Sequence, residues 1–417
     1  MIAGVRVGRV LSAANDVVTT TLPRAVVGDG VSIRSHGGNR IAAVVTGIDA
    51  DRVRLAAFAP LAGVAVGDPV ESDARANVVP LGVQVLGRAI DAAGHAIDGR
   101  PDPAGRPANV LPRPIDAAAR APVTQALWTG IRAIDGLLTI GRGARVGIFG
   151  APAAGKSTLI EMLVAGARAD AVVIALVGER GREAQRWIAR IAPHATIVCA
   201  PSDRSATERM RAAHVAIAQG HELRRRGLNV LAIIDSVARF CSAARELAVA
   251  NGETVGRGGY PPSVFNEMAR LLERGGNVGG GSLTVLATVL SDGGDEREPL
   301  SDAARSLLDG HIVLSTALAR SGHYPAIDVL ASASRTMSEV TDEAHRSAAQ
   351  AVVRGLALLE ETRDARELGL ARGTPALDRA LAARARLDAF LRQRDPAASP
   401  PQTFAELAAL ARELEAA

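Results

Sequence analysis

The residues with the sharpest chemical signature are Gly150, Ala151, Pro152, Ala153, Ala154, Gly155, Lys156, Ser157 and Thr158. Eight of them spell GxxxxGK[ST] after the apolar run RVGIFG and before the helical pattern TLIEMLVAGA, the strand-turn-helix setting that a phosphate-binding loop requires. Gly150 and Gly155 permit the tight turn that aims backbone N–H groups at phosphate oxygens, and the helix start adds partial positive charge. Lys156 would reach the β- and γ-phosphates as a point charge, and the Ser157 hydroxyl would ligate Mg²⁺. Of the 48 basic residues, 47 are arginine and the only lysine is Lys156. The pattern reads as a compositional drift that replaced lysine wherever guanidinium would serve and kept the compact ammonium at the one position that needs it, with chance as the alternative.

Magnesium on a P-loop also calls for a carboxylate at the end of a neighbouring buried strand, and LNVLAIIDS offers Asp235 there. The alternative is that Asp235 only caps the helix that follows. Hydrolysis further needs a group to orient and polarise water. The strand AVVIALVG ends directly in Glu179-Arg180-Gly181-Arg182-Glu183, and Glu179 stands where the strand leaves the sheet, beside the crevice in which α/β proteins bind ligands. From spacing alone such a cluster more often marks a solvated helix start.

At 417 residues the chain is too long for one ordinary core, and its patterning divides it into three domains. Residues 1–77 alternate β-branched runs (Val5 to Val10, Val17 to Leu22, Val31 to Ile33, Ala42 to Ile48, Val53 to Leu55) with Gly, Asp and Asn turns, which predicts a small β-barrel. Residues 78–342 open with an extended Pro/Gly/Ala-rich connection from Asp98 to Arg120. From Arg145 they alternate buried strands with amphipathic helices: Val146 to Phe149, Ala171 to Val177, Val230 to Ile234, Leu283 to Val289 and Ile312 to Leu314. That alternation predicts an α/β domain with a mostly parallel sheet. Residues 343–417 are helical, with Thr374 and Pro375 as N-cap and first helical residue, and a last helix after Pro400 and Pro401 that shows Phe404, Leu407, Leu410 and Leu414 on one face.

Composition excludes several classes. No run approaches the roughly 18 apolar residues of a membrane span. Arg6 and Arg9 interrupt the first apolar stretch, so a secretory signal is not expected and the chain reads as cytosolic. Cys199, Cys241 and the eight histidines lack any metal-type spacing and read as structural or solvent-facing. The net charge of +4 is spread along the chain rather than gathered into a patch.

The runs GAPAAGKST, LVGERGRE, IIDSVARF, GRGGYPPSVFNEMARLLERGG, LLDGHIVLS and GHYPAIDVLASASR, in this order over nearly the whole chain, resemble the type III protein-secretion ATPases, relatives of the catalytic subunit of rotary ATP synthases. The resemblance implies a RecA-like P-loop core with an N-terminal β-barrel and a C-terminal helical domain, assembled as a homohexamer with nucleotide at subunit interfaces. It makes Lys156 the phosphate-binding lysine, Ser157 the magnesium ligand, Glu179 the water-polarising carboxylate, Arg180 a phosphate-side partner and Asp235 the carboxylate behind the magnesium shell. It places Arg335 as the finger of a neighbouring subunit, and Tyr324 where related enzymes stack an aromatic on adenine, with core packing as the alternative. It also implies ATP and Mg²⁺ as cofactors, central-stalk and stator proteins and chaperone–effector complexes as partners, and a position peripheral to the inner membrane at the secretion apparatus. Two features depart from the family: the barrel is expected to begin almost at Met1, where relatives often carry a stator-docking segment, and ELGLARGTPALDRAL replaces a longer apolar-aromatic version.

The leading function is therefore ATP hydrolysis that powers type III protein export, in a flagellum or a host-directed injectisome, with the reading inclining to the injectisome. A RecA-like hexameric nucleic-acid translocase is a second reading, against which the first 77 residues hold a single aromatic, Phe58, where RNA would need a stacking platform. No nucleic acid is expected as a partner. A rotary-synthase catalytic subunit is a third reading, and it would need a second subunit type to complete its ring.

Overall fold

In the computed structural model, which describes residues 5–14, 16–111, 114–290, 298–370 and 373–416, the N-terminal β-branched runs form β1 (Val7–Ala14), β2 (Val17–Thr21), β3 (Gly30–Arg34), β4 (Arg40–Asp49), β5 (Arg52–Ala57) and β6 (Pro69–Ser72). They close into a barrel in the order β1-β2-β5-β4-β3-β6, and β6 returns to pair antiparallel with β1. Closure leaves no open sheet edge. Alternate residues point inward, so Val10, Val18, Val31, Ile33, Leu55 and Val70 are buried in one core. The first strand starts and ends later than the apolar run Val5 to Val10 indicates, because its partner β2 carries the pairing on to Ala14. The sixth strand, PVES, is too short and polar to stand out in the sequence; it exists because the barrel needs a closing partner. The expectation that the barrel begins almost at Met1 falls partly on residues 1–4, outside those described.

The chain folds as two units, one made of Met1–Asp116, Ala171–Arg226 and Ile234–Arg274, the other of Ala117–Asp170, Gly227–Ile233 and Gly275–Ala417. Besides the barrel, the first contains the parallel strands Ala171–Val177, Ala195–Ala200 and Arg88–Ile90, paired in that order. Every residue of the first two is buried, as continuous apolar runs in a sheet covered on both faces require. The last two were not among the expected strands. Helix Ala206–Arg224 starts at a capping box between Ser205 and Glu208. It carries Arg211, whose guanidinium lies 3.8 Å over the Phe58 ring and donates to the Ala92 carbonyl (2.8 Å) and Asn77 Oδ1 (2.6 Å).

In the second unit the strand Arg145–Gly150 runs parallel to Gly281–Leu290 on one side and Gly310–Leu314 on the other, and Ile327–Ser334 pairs antiparallel with the latter. Strand Asn229–Asp235 contributes its first five residues to this unit and Ile234 and Asp235 to the other. Helices Glu343–Glu361, Pro375–Leu391 and Pro400–Glu415 complete it. Thr374 caps the second by accepting from the Leu377 N–H, with Pro375 in the first turn. Phe404 packs edge-on to Trp128 at 5.4 Å and against His345 at 4.4 Å. Arg132 fixes the end of helix Pro375–Leu391 by donating to the carbonyls of Ala389, Phe390 and Arg392 at 2.8 to 2.9 Å.

Cys199 and Cys241 are buried and unlinked, and burial pushes both thiols up to about 12, which fits a structural place. Among the described residues no helix is long and apolar enough to cross a membrane, and no cluster of His, Cys, Asp and Glu could hold a metal.

Asp135, buried in helix Arg132–Leu137, accepts from the Thr129 N–H (2.8 Å), the Thr129 hydroxyl (2.7 Å) and the Gly130 N–H (2.9 Å), yet burial pushes its carboxyl up to about 6. Ionising it costs more in the folded protein than in the unfolded chain. Its contribution to stability is therefore present below the ordinary carboxylate range and is lost as pH rises through about 6. Thermal unfolding midpoints measured across that range should fall more steeply with rising pH in the native chain than in Asp135→Asn. Parallel profiles would remove Asp135 as the source.

Candidate nucleotide site

The phosphate loop belongs to the second unit. Its strand ends at Gly150, level with Leu290 and Leu314 on the flanking strands, and the helix Lys156–Gly166 begins six residues later. Between them Ala153 and Gly155 adopt left-handed φ values of 66° and 88°. Glycine supplies this conformation freely at 155; at 153 an alanine carries it, at a cost of roughly 1 kcal/mol. A Cβ at Gly150 would lie 2.9 Å from the Leu314 Cβ, and one at Gly155 would lie 3.2 Å from the Tyr324 ring. Gly155 is the N-cap and offers no side-chain acceptor to the first helical turn, which also holds no acidic residue. A helix start built in this way is suited to an anion in the cap position. Pro152, Ala153, Ser157 and Thr158 are exposed, Ala151, Gly155 and Lys156 half-buried, and Ala154 buried.

Tyr324 is 38% exposed and stands against Gly155. Its carbonyl accepts from the Gln393 N–H at 2.8 Å, which ties this flank of the loop to the segment after helix Pro375–Leu391. Its ring therefore borders the loop without being enclosed by the core.

Glu179, Arg180 and Asp235 belong to the first unit. The chain leaves strand Ala171–Val177 through Gly178, whose φ of 66° turns it, and Glu179 follows with only 4% exposure. Its carboxylate lies 3.3 Å from Nη1 of Arg239, and the same guanidinium donates to the Gly178 carbonyl. Arg180 is exposed and forms the N-cap of helix Gly181–Ala189. Asp235 is buried at the end of its strand. The next helix, Val237–Ala250, is capped by Ser236, whose hydroxyl accepts from the Arg239 N–H at 3.3 Å. Capping therefore does not account for Asp235. Arg239 was not singled out in the sequence, although in IIDSVARF it stands one helical turn after Asp235, a position from which it can turn back toward the strand ends.

Arg335 lies away from its own chain's loop. Register sets Gly150 beside Leu314 and Leu314 beside Ile327 at one end of the sheet, and Val146 beside Gly310 and Gly310 beside Ser334 at the other. Arg335, next after Ser334, is thus separated from the loop by the length of the strand, a rise of about 13 Å from Val146 to Gly150. Its side chain is exposed and makes no ion pair or side-chain hydrogen bond among the described residues.

Two family models match the chain: the nucleotide-binding domain of the ATP synthase alpha/beta family over residues 130–334, and the T3SS EscN ATPase C-terminal domain over residues 341–409. The chain is 45% identical to the SPI-2 type 3 secretion system ATPase of Salmonella typhimurium over 85% of this chain and 83% of that one. It is 42% identical to the flagellum-specific ATP synthase of Treponema pallidum over 93% and 89%. Its structure matches the assembled ATPase EscN of the enteropathogenic E. coli type III secretion system with a TM-score of 0.90 and 35% identity, over 97% of this chain and 100% of that one. EscN in complex with its central stalk EscO matches with a TM-score of 0.86 and 35% identity, at the same coverage.

Gly155→Ala should weaken nucleotide binding while the chain stays folded, because the added methyl group meets both a left-handed backbone and the Tyr324 ring. Equilibrium binding of a fluorescent ATP analogue, with circular dichroism as the check on folding, decides it; retained affinity would show that the loop's conformation does not matter for binding.

Proposed function

Since the chain belongs to the type III secretion and flagellar export ATPases of the ATP synthase alpha/beta family, we propose that it works as a homohexameric ring that releases exported proteins from their chaperones, unfolds them and delivers them to a secretion apparatus at the inner membrane. The chain is an ATP hydrolase. The observation that carries the proposal is the loop itself, in which a solitary lysine opens an uncapped helix behind a left-handed glycine. In the related EscN the assembled ATPase takes a central stalk, and a stalk of the same kind fits the ring proposed here.

The roles follow from chemistry. Lys156 and the loop N–H groups hold the triphosphate. Magnesium suits the exposed Ser157 hydroxyl in the first helical turn, and the family resemblance makes Asp235 the carboxylate behind the magnesium shell. Bound there, the ion would neutralise phosphate charge. Glu179 orients a water for in-line attack on the γ-phosphorus; the bond to the β,γ-bridging oxygen breaks as the new P–O bond forms, ADP departs, and no covalent enzyme intermediate arises. Arg239, whose Nη1 lies 3.3 Å from the Glu179 carboxylate, directs that carboxylate. Arg180 serves the phosphate side. Arg335 reaches the γ-phosphate of the adjacent subunit, a reading supported by its exposure and by its distance from its own loop.

Against the nucleic-acid translocase stands Phe58, the single barrel aromatic, which lies 9% exposed beneath Arg211 and offers no face for a base.

Glu179→Gln should keep ATP affinity and lose most turnover; undiminished hydrolysis by that variant would take Glu179 out of its role. Arg335→Ala should lower the rate by up to roughly 10³-fold in assembled rings. Specific activity of the native chain should rise with protein concentration as sites form between subunits, and RNA should leave it unchanged. A flat concentration profile would argue for a self-contained site, and stimulation by RNA would favour the translocase.

A further inference from the structure

Arg335 combines a fixed backbone with an exposed side chain that makes no ion pair or hydrogen bond among the described residues. Its N–H donates to the Asp309 carbonyl at 2.8 Å. On one side the Ser334 hydroxyl donates to the Thr139 carbonyl at 2.6 Å, and on the other Thr336 Oγ1 accepts from the Gly141 N–H at 3.0 Å. Asp309 is itself clamped. Its carboxylate accepts from Arg145 Nε and Nη2, both at 3.0 Å, and from the Arg145 N–H at 2.9 Å, while its own N–H donates to the Arg145 carbonyl at 2.7 Å. Two parallel N–H···O bonds from a guanidinium to a carboxylate fix orientation as well as distance. Arg145 opens the strand that ends in the phosphate loop.

We propose that Asp309, locked by Arg145, is a positioning residue that holds the Arg335 backbone at a set place on the subunit surface, so that the finger meets the neighbouring subunit's nucleotide without a search. This rests on the reading of Arg335 as the finger. A flexible guanidinium on a mobile backbone would lose its contribution to misalignment, since displacements of about 1 Å at a reacting centre can cost 10²-fold in rate. The side chain needs freedom to enter a partner; the backbone needs none. The clamp also joins the Arg335 backbone to the first residue of the phosphate-loop strand, so one subunit's loop strand and the finger it lends to its neighbour share a rigid base.

Subunit mixing tests this. Asp309→Asn should lower kcat about 10- to 10²-fold, with KM for ATP within about twofold and ring assembly unchanged, because its own phosphate loop is intact. Lys156→Ala has no working loop yet keeps a properly held Arg335. Rings mixed from the two should regain activity above the sum of the separate preparations, since the loop of one meets the finger of the other. A general folding defect would not be rescued in this way. Thr336→Val, which removes the Thr336 Oγ1 hydrogen bonds to the Gly141 N–H and the Ser334 hydroxyl and keeps the shape, provides a second test if Asp309→Asn does not fold, and Asp309→Glu should recover part of the rate. Arg335→Ala mixed with Lys156→Ala is the reference. If that pair complements and neither Asp309→Asn nor Thr336→Val does, the positioning role is overturned while the finger stands; if the reference pair also fails, the finger reading falls and this inference with it.

Discussion

The arrangement depends on one constraint: a polyanionic triphosphate has to be met by backbone N–H groups that cannot move away. The protein answers with a strand, Arg145–Gly150, held between Gly281–Leu290 and Gly310–Leu314, and a helix that starts directly after the loop. Pairing on both sides leaves the strand no freedom to slide. Gly150 is then required by contact and Gly155 by contact and conformation, because Leu314 and the Tyr324 ring border the space a side chain would need and Gly155 is left-handed. Tyr324 in turn is tied through Gln393 to the C-terminal region, which rests on Arg132.

A nearly lysine-free chain shows what the two basic side chains are for. Arg132 gathers three carbonyls, Arg145 grips a carboxylate with two nitrogens, and Arg211 lies on an aromatic ring while serving two acceptors. Arg88 and Arg100 converge on Asp98 and hold its carboxyl well below the usual range. Each task uses the planar, forked geometry that an ammonium lacks. At the phosphate loop the demand is reversed, for a compact point charge, and there the single lysine remains.

The same strand order that protects the loop also sets Arg335 far from it. Loop residues lie at one end of the sheet and Arg335 at the other. A chain built in this way presents an exposed arginine out of reach of its own loop, the geometry on which the proposed ring rests. The buried Glu179 follows a different logic, for its carboxylate is taken out of water and meets the Arg239 guanidinium at 3.3 Å.

The phosphate loop, the barrel, the alternating α/β core and the helical C-terminal part were legible in the sequence because each depends on short-range order: a motif of eight residues, a period of two, a period of three to four, a proline after a capping threonine. The short strands Arg88–Ile90 and Pro69–Ser72 carry no such pattern and exist only because a sheet edge and a barrel gap were there to receive them. Likewise no spacing rule shows that Ser236 rather than Asp235 caps its helix, or that Arg239 meets Glu179 and Arg145 grips Asp309. Local pattern is written in neighbouring residues, whereas the Arg239–Glu179 and Arg145–Asp309 contacts join segments tens to hundreds of positions apart, and only the packing of strands and helices brings their charges within reach.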